Sequence, residues 1–165
     1  MFDLFGVIMV IVCVLVVITS GMLGYFLGDK YRKRKEFYNQ LVNFANFIEP
    51  HINFYNTKLT DLFDDFDSQS KIFNAFKIQA KEHIVNSSVT ISCLGFLKES
   101  EKEDVLHMLK TLTCLDFENI QRSLKGFKVI LEQKANDATN EAKIKINLYQ
   151  KLSLFLGLAL AIILI

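Results

Sequence analysis

The residues with the chemistry to do work in this 165-residue chain are three histidines, three cysteines and a cluster of aspartates. His51, His83 and His107 stand far apart. None has the i, i+4 spacing of a zinc helix or the paired cysteines of a zinc-activated water site. Cys13, Cys93 and Cys114 are an odd set without close spacing, which fits neither a disulfide framework nor a zinc knuckle. A nucleophilic thiol needs an imidazole within reach to take its proton, and Cys93 or Cys114 with His107 is the only pairing to weigh. Both cysteines fall at apolar positions, so packing is the simpler role. Asp61, Asp64, Asp65 and Asp67 form the one acidic cluster, with Asp61 and Asp65 on one helix face. A divalent cation is one reading. Hard cations want ligands from a turn that wraps the ion, so a solvated face or a docking patch for a basic partner fits better.

Phosphate-cradling loops need glycine, and five of the seven glycines fall inside long apolar runs. No nucleotide-binding loop can be built from the other two, Gly95 and Gly126. The sequence therefore predicts no enzyme, no cofactor and no metal. Nor does the charge balance point to nucleic acid, because Lys+Arg is 19 against Asp+Glu of 18, a formal net charge of +1.

The charges are unevenly placed. Leu4 to Leu27 are 24 consecutive uncharged residues, 15 of them Leu, Ile, Val or Phe. As helix they extend roughly 36 Å, enough for a hydrocarbon core of about 30 Å. A cleaved signal peptide would want a basic start, a shorter apolar core and a small-residue cleavage site. The chain starts Met1-Phe2-Asp3, and a retained anchor over residues 1–28 is the better fit. Leu152 to Ile165 add 14 largely apolar residues, roughly 21 Å of helix and short for a span. Entry near Ile146, with Lys151 snorkelling back, lengthens this to about 30 Å. A second span over 152–165 is expected; a buried core helix or re-entrant end is the other reading.

Lys30, Arg32, Lys33, Arg34 and Lys35 follow the first apolar run directly, and Lys143, Lys145 and Lys151 precede the second. Both basic flanks belong to residues 29–151. The positive-inside rule places that segment in the cytoplasm and both ends outside. A basic run placed directly against a span is topogenic and attracts anionic lipid, rather than forming a nucleic-acid patch.

Small residues mark both apolar runs. Ser20, Gly24 and Gly28 are spaced by four, and so are Ser153, Gly157 and Ala161. Such stripes let helix backbones approach closely. They predict either antiparallel packing of the two spans on each other or packing on another subunit.

Between the runs the periodicity is helical. Phe37, Leu41, Phe44, Ile48, Ile52 and Tyr55 make one face, in which Pro50 predicts a kink or a break near Glu49. A second helix is expected from Thr57 to Phe66, buried through Leu59, Leu62, Phe63 and Phe66. A third runs from Lys71 to Val85 behind Ser70 as N-cap, ending at the Asn86-Ser87-Ser88 break. A short helix is expected over Val89 to Leu97. Ser100 to Glu103 reads as a capping box opening a helix to Thr113. Ile120, Leu124, Phe127, Leu131, Ala135, Ala138, Ala142, Ile146 and Tyr149 form the longest stripe. It predicts one helix of roughly 50 residues running into the second span. The fold class is all-α, an antiparallel bundle of about five or six helices between two membrane helices.

The stretch Asn147 to Leu160, NLYQKLSLFLGLAL, resembles the end of stage III sporulation protein AB of endospore-forming bacteria. His51 to Leu59, HINFYNTKL, is similar to that family's approach to its second helix, with Lys58 where a proline is usual. The resemblance implies a cytoplasmic domain similar to F-type platform proteins of type II secretion and type IV pilus machines. It implies a non-enzymatic platform subunit in the mother-cell membrane around the forespore, within a secretion-like channel complex. The implied partners are a cytoplasmic secretion-type ATPase similar to stage III sporulation protein AA, other membrane subunits, the lipid bilayer and, through homo-oligomerisation, further copies. Asp61, Asp64, Asp65 and Asp67, and the charged turn Lys98 to Asp104, are the expected docking elements. A membrane-tethered helical scaffold unrelated to sporulation is the alternative.

Overall fold

The computed structural model describes residues 4–55, 59–86, 90–114 and 117–164, and among these every regular element is helical. The order is α1 (Leu4–Tyr55), α2 (Leu59–Asp65), α3 (Lys71–Val85), a 3-10 turn (Ser92–Leu94), α4 (Glu99–Cys114) and α5 (Phe117–Leu164). The chain divides into two compact units, one of residues 1–32 with 140–165 and one of residues 33–139.

The first unit is a pair of apolar rods. Away from their basic ends the outward residues are mostly apolar: Val10, Leu23 and Phe26 on α1, and Leu152, Phe155 and Ile162 on α5, are exposed. Both helices are long and apolar enough to cross a membrane, and this marks the chain as a membrane protein. A helix satisfies its own backbone hydrogen bonds, as any segment in hydrocarbon must.

The second unit buries what the first exposes. Phe37, Leu41, Phe44 and Ile48 of α1 are buried, as their spacing predicts, and Tyr38 and Ala45 widen the stripe. Helix α1 is therefore covered on more than one side. Leu59, Leu62, Phe63 and Phe66 close over it from α2 and the turn after it, and Phe73, Phe76 and Ala80 from α3. The aromatic rings interlock. Phe44 stacks on Phe63 at 4.5 Å between centroids, and Phe37 meets Phe76 edge-on at 5.1 Å and Phe96 at 5.5 Å. Edge and offset contacts of this kind add to the free energy of area burial. On α5, Leu124, Leu131, Ala135 and Ala138 are buried and Ile120 and Phe127 half-buried, in the predicted order.

Polar groups hold α3 in place. The Ser70 side chain accepts the Phe73 N–H at 3.3 Å and donates to Glu36 at 2.5 Å. Ser68 donates to Gln40 at 3.0 Å, so the turn before α3 is tied to α1 by two side-chain bonds. Lys77 caps the loose end of the preceding segment by donating to the Phe66 carbonyl.

Three expectations need correcting here. Of the kink or break expected at Pro50, the break does not occur: Pro50 lies inside α1, which continues to Tyr55 rather than ending near Glu49. The proline removes one donor only five residues before the end of the helix, where little of the ladder remains to be lost. The ring of His51 reinforces that turn, with Nδ1 2.7 Å from the Phe47 carbonyl oxygen. The helix expected over Val89 to Leu97 is only the 3-10 turn Ser92–Leu94. Its backbone instead uses Gln79, which accepts the Cys93 N–H at 3.0 Å. The capping box is displaced. Helix α4 opens at Glu99, so Ser100 is already inside it, and Glu101 accepts the Lys98 N–H at 3.0 Å. The expected start of α2 at Thr57 and the Ser87-Ser88 break lie outside the described residues, as do the side chains of Ile52, Tyr55 and Cys114.

Phe37→Ala should destabilise the bundle by about 3–5 kcal/mol, because a fully buried ring leaves a cavity among rigid neighbours. Ser70→Ala should cost only about 1 kcal/mol, the worth of an N-cap. Urea melts followed by circular dichroism in detergent would read both.

Candidate functional site

Two places in the molecule combine unusual geometry with residues singled out above: the seam between the rods, and a buried ion pair in the bundle.

The seam is built on backbone approach. A methyl group at Gly24 would lie 2.9 Å from the Tyr149 carbonyl oxygen and 2.9 Å from the Ser153 Cβ. One at Gly157 would lie 3.0 Å from the Ser20 Cβ and 3.3 Å from the Val17 Cα. Each serine thus fills the notch of the glycine on the other rod, a reciprocal arrangement that requires antiparallel helices. Cys13 continues the register by contacting the Ala161 carbonyl at 3.7 Å, and Ala161 is itself buried. Neither serine hydroxyl is left without an acceptor. Ser20 donates to Val17 and Ser153 to Gln150, each at 3.0 Å within its own helix. Gly28 differs from its two partners in the stripe. A methyl there would meet the Ile146 side chain at 3.4 Å and its Cα at 3.8 Å, ordinary contacts, so this position does not demand glycine.

Above the seam the rods carry an aromatic and basic belt. Tyr31 and Tyr149 pair at 6.0 Å between ring centroids. The Arg32 guanidinium lies 4.0 Å over the Tyr25 ring and donates to the Tyr25 carbonyl at 3.5 Å. Lys30 and Lys151 are exposed, as are Lys33 and Lys35 in the other unit.

Arg34 departs from the membrane-flanking role expected of it. It is buried, and its guanidinium grips Glu101, with Nη2 2.6 Å and Nε 3.1 Å from the carboxylate. Glu101 is buried too, and burial alone would raise its pKa. The Arg34 hydrogen bonds, the Lys98 N–H and the Arg34 charge outweigh that and hold the carboxyl below its ordinary range. Tyr38 lies beside the pair, with its ring 5.9 Å from the guanidinium. Its hydroxyl is buried and makes no hydrogen bond. Burial, then the Glu101 charge, push its pKa up, so the phenol is neutral at any physiological pH.

Spacing could not reveal the pair, because Arg34 and Glu101 are 67 residues apart and each belongs to a local run of charges. The one available signal was the Glu at the third helical position after Lys98.

The acidic cluster takes the other extreme. Asp61, Asp64, Asp65 and Asp67 are all exposed. Lys81 pairs with Asp64 at 2.5 Å, and Asp61 accepts from Thr60 at 3.2 Å. Among the described residues no three His, Cys, Asp or Glu side chains gather to hold a metal. In the Lys98 to Asp104 turn, Glu101 is committed to Arg34, Lys102 to Glu99 at 2.8 Å and Asp104 to Lys134 at 2.5 Å. The Cys93 thiol is pushed up by burial, the reverse of what a nucleophile needs. An apolar cleft of about 260 Å³ opens between α4 and α5, walled by Val105, Met108, Phe127 and Leu131 with His107 at its edge.

No curated protein and no solved structure matches the chain. A family model described as stage III sporulation protein AB matches residues 9–165. The chain belongs to that family, and its role is in sporulation.

Glu101→Ala should destabilise the bundle by about 3–5 kcal/mol, since it strands a buried guanidinium. With a lowered folded pKa, the stabilisation from Glu101 is whole above the pKa of the unfolded chain. It disappears as pH falls through the folded value. Acid titration of the melting temperature should show that loss in the wild type, and Glu101→Gln should be flatter over the same range. In the rods, Gly157→Leu should cut cross-linking between cysteines placed on the two spans at least about fivefold, while Gly28→Ala should leave it intact.

Proposed function

Starting from membership of this sporulation family, we propose that the chain is a non-enzymatic platform subunit of a secretion-like channel complex between mother cell and forespore. The two rods anchor it in the mother-cell membrane, with the bundle in the cytoplasm. There the bundle docks a secretion-type ATPase similar to stage III sporulation protein AA. The observation that carries the reading is the division of labour within one chain of this family. One unit is apolar over most of its outer surface up to a basic end, and the other is packed on phenylalanine inside and charged outside. The basic flanks Lys30 to Lys35 and Lys143 to Lys151, both on the bundle side of the apolar runs, support the orientation by the positive-inside rule.

The exposed face Asp61, Asp64, Asp65 and Asp67 is the docking element with the simplest physical case. It carries four carboxylates on a short helix and the turn after it, and Lys81 is paired with Asp64. The Lys98 to Asp104 turn serves less well, because its charges are engaged with one another and with Arg34 and Lys134. Each long helix continues without interruption from apolar rod to bundle sequence. Motion imposed on the bundle by the ATPase would therefore have a covalent, hydrogen-bonded path into lipid.

Affinity purification of the full chain from membranes of sporulating cells should recover the ATPase. A variant with Asp61, Asp64 and Asp65 all replaced by Lys should recover at least about tenfold less. Equal recovery would remove the acidic face, and no ATPase with the wild type would remove the platform reading. In a chain otherwise free of cysteine, a cysteine at exposed position Gly95 should react with an impermeant maleimide only after the membrane is opened.

A further inference from the structure

We infer that the belt at the base of the two rods is a binding surface for anionic phospholipid headgroups. Lys30 and Arg32 of α1 and Lys143, Lys145 and Lys151 of α5 form it. It rests on the rods crossing a bilayer, not on which machine the bundle serves.

Five cations of the bundle are paired: Arg34 with Glu101, Lys81 with Asp64, Lys102 with Glu99, Lys128 with Glu49 and Lys134 with Asp104. Among the described residues, Lys30, Arg32, Lys143, Lys145 and Lys151 make no ion pair. The register of the rods brings Lys30, Arg32, Lys143 and Lys145 to one level, with Lys151 roughly 9 Å further along α5 into the apolar stretch. Gly28 meets Ile146, Tyr31 meets Tyr149 and Gly24 meets Ser153. Lys145 therefore lies level with Lys30, and Lys151 level with Tyr25. A belt of cations at the edge of an apolar surface is complementary to phosphodiesters at the edge of hydrocarbon.

Arg32 adds a more specific feature. Its guanidinium turns back along α1 to lie on the exposed Tyr25 ring and donates to the Tyr25 carbonyl. This leaves the remaining guanidinium N–H groups free to hold a phosphate in a fixed plane beside the apolar stretch. Tyrosine at that depth is the residue type expected at the headgroup level. Zwitterionic headgroups offer the same phosphate but cancel it with an ammonium, so the belt should discriminate by net charge.

The chain has no tryptophan, so its tyrosines report on neighbouring lipid. The full chain is reconstituted into phosphatidylcholine vesicles. Acyl-brominated phosphatidylglycerol is compared with brominated phosphatidylcholine as quencher of tyrosine fluorescence. The expected result is a relative association constant for phosphatidylglycerol of about 3 to 10. It should fall toward one in 1 M salt, where the Debye length is about 3 Å. Replacing all five cations by Gln should lower it to near one, and Arg32→Gln alone should remove part of the preference. A wild-type value of one, a value unmoved by salt, or a preference retained by the five-fold variant would overturn the inference. The salt response of the wild type decides the matter even if the variant does not insert. ATPase recovery tests the platform reading separately.

Discussion

Two helices of this chain must each satisfy two solvents in succession, and that constraint governs the rest. Helix α1 shows Val10, Leu23 and Phe26 outward in one stretch and buries Phe37, Leu41, Phe44 and Ile48 in the next. Helix α5 makes the same change in reverse order. A helix can do this because its backbone bonds are internal, so only the side chains need to answer to the surroundings. The cost falls on the side chains at the transition, where apolar residues must give way to charge within about a turn. Lys30 to Lys35 and Lys143 to Lys151 are that transition written in residues.

The two units consequently hold together by different physics. Between rods in lipid there is no hydrophobic driving force, because neighbouring tails are as apolar as leucine. What remains is close contact, and the Gly24–Ser153 and Gly157–Ser20 notches supply it by removing Cβ atoms from the interface. In the bundle the solvent is water. Burial of large rings is worth most there, and the interior is accordingly a mesh of phenylalanines. One chain thus uses its smallest residues as the adhesive in one unit and its largest in the other.

The Arg34–Glu101 pair is the exception inside the bundle. Two buried charges gain little net stability over a well-packed apolar pair, because desolvation offsets much of their attraction. Their effect is positional. The bidentate grip and the Lys98 N–H fix the first turn of α4 against α1 to within a hydrogen-bond length. A sliding error of one residue on either helix would leave a charge buried and unpaired. Fold specificity is thus the use for which this arrangement is best suited.

Much of this was legible in the sequence, for a definite reason. Helical periodicity and hydropathy are local quantities. The stripe from Ile120 to Tyr149 therefore foretold a helix that is indeed 48 residues long, and the Ser70 cap and the buried faces of α2 and α3 followed in the same way. Helix ends were less legible. Pro50 failed to stop α1 because so little helix lay beyond it, and the box at Ser100 yielded to a Glu101 with better partners. Family membership, too, could be read from the residues near the second span. Tertiary structure alone decided which charge is buried against a distant partner. Arg34 stands in a basic run, yet it is buried and meets a carboxylate 67 residues away. Only the structure distinguished Gly24 and Gly157, where another backbone presses close, from Gly28, where one does not. Periodicity records which way a side chain points along its own helix; what it meets there is set by a partner helix distant in sequence, and no local pattern contains that.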